Sequence, residues 1–174
     1  MQLSHTRAAM GAAFDDAGLI GSAGLVPVVA LAQAAGLPGL VAAHVGVPTD
    51  KGANADLKVM SLVAGMAAGA DSIDDMALLR HGGMGRAFDA CYAPSTLGSF
   101  LRAFAFGHVR QLDAVASRFL GALACRTPVL AGIDEVAVVD LDDTIVEVHG
   151  YAKQGAAFGY SGVRGLNAIA ATVT

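Results

Sequence analysis

Residues 136–148 read Val136-Ala137-Val138-Val139-Asp140-Leu141-Asp142-Asp143-Thr144-Ile145-Val146-Glu147-Val148, and on this stretch the fold class turns. Its wealth of β-branched residues matches a strand far better than a helix. Side chains alternate across a strand, so Asp140, Asp142 and Thr144 share a face with Val136, Val138, Val146 and Val148, while Asp143 points the other way. Carboxylates among valines on a strand expected to be buried are costly unless a cation or hydrogen bonds compensate them. Magnesium or manganese, which prefer oxygen ligands, would meet that need. The plainer alternative puts the aspartates where the strand ends, solvated or accepting bonds from turn amides.

Downstream, glycines at 150, 155, 159, 162 and 165 mark a turn-rich connection, and residues 166–174 predict another strand. Upstream, the texture changes at Thr127-Pro128, and everything before it reads as helix. Ser22 can cap a helix carrying Leu25, Val28, Val29 and Ala32 that stops at Gly36; Pro38 can open a second, ending at Gly46-Val47-Pro48. Asn54 can cap a third with Leu57, Met60 and Ala64 on its face, and Ser72 with Asp75 forms a capping-box pattern before Met76, Leu78 and Leu79. Pro94 starts a helix with Leu97, Phe100, Leu101 and Phe104. The clearest periodicity comes next, with Leu112, Val115, Ala116, Phe119, Leu120 and Leu123 at three- and four-residue steps. The expected fold class is α+β, a helical bundle over 1–127 followed by strands over 128–174.

The 174 residues suit one domain or one plus part of another, and 55% hydrophobic against 15% charged residues excludes intrinsic disorder. The formal net charge of −4 conceals an asymmetry. Arg80, Arg86, Arg102, Arg110, Arg118 and Arg126 face only Asp89 and Asp113, whereas Asp134, Glu135, Asp140, Asp142, Asp143 and Glu147 have no basic residue among them. A basic stretch followed by an acidic one suits polyanion binding next to cation binding. Arg102, Arg110 and Arg118 are spaced so that each is rotated by about 80° on a helix, so they make no single stripe, though two neighbouring helices could present them together. Lys153 and Arg164 in the glycine-rich connection are further phosphate-contact candidates.

Cys91 and Cys125 form no close-spaced pair, which argues against a zinc site and for a reducing cytoplasm. The histidines at 5, 44, 81, 108 and 149 lack ligand spacing. No secretory signal pattern opens the chain. The uncharged run from Ala17 to Thr49 is interrupted by Pro27, Gln33, Gly36, Pro38 and Gly39, so buried helices are expected there and no membrane span.

Two families share features with the strand. Asp140-Leu141-Asp142-Asp143-Thr144 resembles the D-x-D-x-T motif of haloacid dehalogenase-like phosphatases, which would make Asp140 the nucleophile and Asp142 the general acid. That family needs a Ser or Thr, a Lys and an acidic pair well downstream, and only residues 145–174 remain. The segment Gly150-Tyr151-Ala152-Lys153-Gln154-Gly155-Ala156-Ala157-Phe158-Gly159-Tyr160, with Gly165-Leu166-Asn167-Ala168 after it, resembles the segment beyond the first catalytic Asp in DDE-type insertion-sequence transposases. Residues 62–80, with Gly69, Asp71, Asp74, Asp75 and Leu79-Arg80-His81, are similar to their helical region, and residues 94–100 to its Thr-Leu segment.

The transposase resemblance implies an incomplete RNase H-like domain whose first strand carries Asp142 in an Asp-x-Thr form, with Asp140 as a second candidate. It implies two Mg2+ or Mn2+ ions serving DNA strand cleavage and transfer, with transposon-end DNA and a homo-oligomer as partners. The second Asp and the Glu of that family are expected beyond residue 174, so the chain alone is expected to be inactive. A non-catalytic helical interaction module is the third alternative.

Overall fold

In a computed structural model, residues 15–88, 91–129 and 135–173 are described. Asp89, Asp134, Thr174 and residues 1–14, among them His5, lie outside the described residues. The elements run α1 (Leu25–Ala34), α2 (Leu37–His44), α3 (Ala55–Ala67), α4 (Pro94–Arg102), α5 (Phe106–Ala124), β1 (Val139–Glu147), β2 (Ala157–Phe158) and β3 (Arg164–Val173), with 3-10 turns at Asp50–Gly52, Asp74–Arg80 and Gly82–Arg86. The class is α+β: helices first, then a three-stranded antiparallel sheet.

The break between α1 and α2 falls at Gly36. The last α1 carbonyls are taken up by the amides of Ala35 and Gly36, and Gly36 turns the chain with φ 84°, a left-handed conformation open to glycine without a Cβ penalty. Pro38 then sits in the first turn of α2, where its missing N–H costs nothing. No single helix among the described residues is long and apolar enough to cross a membrane; α1 and α2 together would have the length and composition, but they bend by 54° at this break.

α3 is the centre of the helical region. Its sequence suggests one stripe of Leu57, Met60 and Ala64, yet Leu57 is exposed, and Ala55, Val59, Met60, Leu62, Ala64 and Gly65 are buried on several sides. α1, α2, α4 and the Asp74–Arg80 turn all pack on it, so its burial extends well beyond one stripe. Gly65 permits one of these contacts, because a Cβ there would collide with the sulfur of Met76. Leu97 and Phe100 of α4 are fully buried in the same core, with Phe104 set edge-on to Phe100 at 4.9 Å between ring centroids.

α5 realises its apolar stripe only in part. Val115 is buried against α2, Leu112 and Phe119 are half-buried, and Leu120 is exposed. The reason is length: at 1.5 Å per residue α5 extends about 28 Å and α2 only about 12 Å, so the last turns of α5 run on beyond α2. A side-chain bond from the Gly46 amide to Gln111 Oε1, at 2.9 Å, ties the supported half to the end of α2.

Ser72 and Asp75 form the reciprocal cap that their spacing predicts. The Ser72 hydroxyl and amide both donate to Asp75 Oδ2, at 2.7 and 2.9 Å, at the head of the 3-10 turn Asp74–Arg80. The hydroxyl bond first, then the amide bond, holds the Asp75 carboxyl below its ordinary value of 3.8. Because the folded value is depressed, this stabilisation is present above the unfolded value and is lost as pH falls through the folded one. Protection of the amides of residues 74–80, taken relative to their intrinsic exchange rate at each pH, should therefore fall below about pH 4 in the native chain, and Asp75→Asn should flatten that dependence. An unchanged acid profile in the variant would show that another group controls the turn. Asn54, by contrast, gives α3 no side-chain cap; it lies in the left-handed region and its amide donates to the Tyr92 hydroxyl at 3.1 Å.

The sheet has the order β1-β3-β2, with β3 paired to β1 over nine positions from Val139↔Val173 to Glu147↔Gly165. The connection between the long strands contributes the two-residue β2, which pairs with β3 at Gly165 and Arg164. Gly165 is where three strands crowd: a Cβ would lie 2.7 Å from Ile145 Cγ2 and 2.8 Å from the Val146 carbonyl oxygen. The packing between elements falls into helices among themselves and strands among themselves. A bond from the Phe106 amide to Gln154 Oε1, at 3.3 Å, links the head of α5 to the β1–β3 connection.

Candidate functional site

The expectation that the valine-rich strand is buried is not met. Leu141 and Val139 on one face and Val146 on the other are all exposed, and Ile169 of β3 is 76% exposed. With the helices closed around their own core, no second layer among the described residues covers either face of the sheet. The desolvation cost that would demand a cation at Asp140 and Asp142 is therefore absent: both side chains reach water.

The faces are nevertheless as the alternation predicts. Asp140, Asp142 and Thr144 stand opposite Thr172, Ala170 and Ala168, so small side chains flank the carboxylates and no cation lies across from them. Asp143 is on the other face and accepts a bond from Asn167 Nδ2 at 2.9 Å, its diagonal neighbour on β3. One oxygen of Asp142 accepts from the Asp143 amide at 2.9 Å. Asp140 is the second residue of β1 and Asp142 the fourth, and both are solvated as the plainer alternative has it. Among the described residues no three Asp, Glu, His or Cys side chains gather into a metal-holding group. Asp140 and Asp142 thus offer carboxylate oxygens on one face but do not by themselves complete an ion site.

The basic candidates are dispersed. Arg102 ends α4 and reaches Ser99 Oγ at 3.3 Å; Arg110 and Arg118 lie on α5, the first 3.4 Å from Asp113 and the second bonded to the Ala114 carbonyl at 2.9 Å. All three are exposed. Lys153 is exposed in the β1–β3 connection. Arg164 has a structural task instead: its guanidinium donates to the carbonyls of Gly150 and Tyr151 and lies 5.6 Å from the Tyr151 ring, clasping the turn after β1.

A further polar cluster carries little signal in the sequence. Lys58 of α3 is only 5% exposed, and its ammonium donates to the carbonyls of Lys51 and Ala53 at 2.8 and 2.5 Å while lying 5.3 Å from the Phe100 ring and 5.6 Å from that of Tyr92. The one clue is its place between Leu57 and Val59 in a helix otherwise apolar from residue 59 to 67 apart from Ser61. With Asp50, Lys51, Ser95, Thr96 and Ser99 it lines a cleft of about 290 Å3. Comparison with family models, with curated proteins and with solved structures finds no match to this chain.

Proposed function

We propose that this chain is part of a DDE-type transposase, its helices contributing DNA contacts and its sheet the first strands of an RNase H-like catalytic domain. The observation that carries the reading is the placement of Asp140, Asp142 and Thr144 side by side on one face of β1, with Asp143 turned away. In the proposed enzyme Asp142, assisted by Asp140, would hold Mg2+ or Mn2+, which supplies activation of the attacking oxygen and stabilisation of the leaving one in phosphodiester cleavage and transfer. DNA ends are the proposed substrate and a homo-oligomer the proposed assembly. Arg102, Arg110 and Arg118 are the proposed backbone contacts, with Lys153 beside the sheet; Arg164 contributes by holding the turn.

The phosphatase alternative gains less support. Open α/β sheets present ligand groups at the carboxyl ends of their strands, whereas the Asp140 to Thr144 motif lies inside an antiparallel strand.

Two measurements test the proposal. The chain should bind duplex DNA with an affinity that falls steeply as salt is raised, and it should not cleave DNA with manganese because a third carboxylate is lacking among the described residues near Asp142. Asp142→Asn should leave stability within about 0.5 kcal/mol, as for other exposed substitutions. Robust manganese-dependent cleavage lost in Asp142→Asn would refute the incomplete-centre reading; absence of any salt-sensitive DNA binding would refute the transposase reading itself.

A further inference from the structure

We propose that the cleft over Lys58 is a binding seat for a phosphate group. Lys58 is nineteen-twentieths buried, yet among the described residues no carboxylate pairs with it. Its two carbonyl partners engage two of three ammonium donors, and the third belongs to a group lining the cleft. Carbonyls and aromatic rings lower the cost of burying this cation but leave its full charge without a counter-ion.

Ser95, Thr96 and Ser99, from the first two turns of α4, also line the cleft, and each carries a hydroxyl that can donate. Pro94 and Ser95 open α4, and Ala93 before them provides no side-chain oxygen as a cap. The positive end of the helix and the Ser95 amide, which has no acceptor within the helix, therefore remain available to an anion. Arg102 is bonded to Ser99. The one negative group, Asp50, is held by Lys51 at 2.9 Å, which first by its hydrogen bond and then by its charge keeps the carboxyl ionised and neutralised. The cleft thus combines hydroxyl donors, a helix start and a net positive charge, a donor set suited to a tetrahedral oxyanion and not to a metal ion.

The seat stands apart from the transposase reading, because the phosphate could belong to a free small molecule or to a DNA backbone. Both sources are tested by following backbone amide shifts of the full chain during titration with inorganic phosphate and, separately, with a short DNA duplex. Phosphate should shift the amides of residues 51, 58, 95, 96 and 99 in a saturable manner. Thr96→Glu, which places a carboxylate in the cleft at an exposed first-turn position where Glu favours helix formation, should weaken phosphate binding by about tenfold or more while the spectrum of the fold persists. Lys58→Met should do the same.

Absence of a localised phosphate shift in the native chain overturns the inference, and so does phosphate binding that Thr96→Glu leaves intact. If the duplex moves the same amides and Thr96→Glu weakens it in parallel, the seat takes a DNA phosphate. If phosphate binds and the duplex does not bind anywhere, the seat stands as a small-molecule site and the transposase reading falls. Duplex binding confined to other residues, with no phosphate effect, would overturn the seat and leave that reading in place.

Discussion

Phe100→Ala is expected to destabilise the helical region by about 3–5 kcal/mol, the range for deleting a fully buried aromatic side chain. Phe100 is 1% exposed, sits edge-on to Phe104 and supports the ammonium of Lys58 at 5.3 Å. Its removal empties a site in the core that α4 shares with α3, and neither helix can close the gap freely because each is already packed against other neighbours. Denaturant unfolding followed by helix-sensitive circular dichroism checks this. Phe100→Leu, retaining much of the volume, should lose markedly less. The sheet shares no extended interface with this core, so hydrogen exchange across the β1–β3 ladder should respond weakly to either change. A loss below about 1 kcal/mol for the alanine variant, the ordinary effect of a point substitution, would mean that Phe100 does not close the core.

Lys58→Glu should be almost as damaging, by about 3–5 kcal/mol, the cost of a buried charge left without compensation. The native ammonium faces two carbonyl oxygens, and a carboxylate in its place would set like-signed oxygens against one another with no donor between them. Lys58→Met separates charge from volume: it keeps the apolar stem and should cost only about 1–3 kcal/mol, for carbonyls that lose their donor. Equal losses for the two variants would show that the ammonium is held by packing alone and that its charge is immaterial.

The helices and strands were legible because their signals are local. Gly36 and Pro38 mark the α1–α2 break, Pro94 opens α4, and the β-branched run places β1 with Asp140 and Asp142 on a shared face. The burial of these elements was not legible in the same way. The even apolar stripe of α5 gives no hint that α2 is too short to cover Leu120, and the single stripe read into α3 misses that it is enclosed on several sides. The same local pattern that writes a strand also suggested a buried one, whereas among the described residues no layer covers β1 and β3 and most of their side chains are exposed.

The longer helices, the two long strands and the side of β1 on which each aspartate lies are thus written in the chain alone, since these come from backbone preferences and from periods of two and 3.6 residues, whereas β2 and the 3-10 form of residues 74–80 and 82–86 are not. Which charges are costly was settled only once the elements packed. Packing left Asp140 and Asp142 in water, used Arg164 to clasp a turn, and enclosed Lys58 beneath α4 with no carboxylate paired to it among the described residues. The physical reason is that the energy of a charge depends on what surrounds it, and those surroundings are assembled from residues distant in sequence: Lys58 meets Tyr92 and Phe100 only after the bundle has closed.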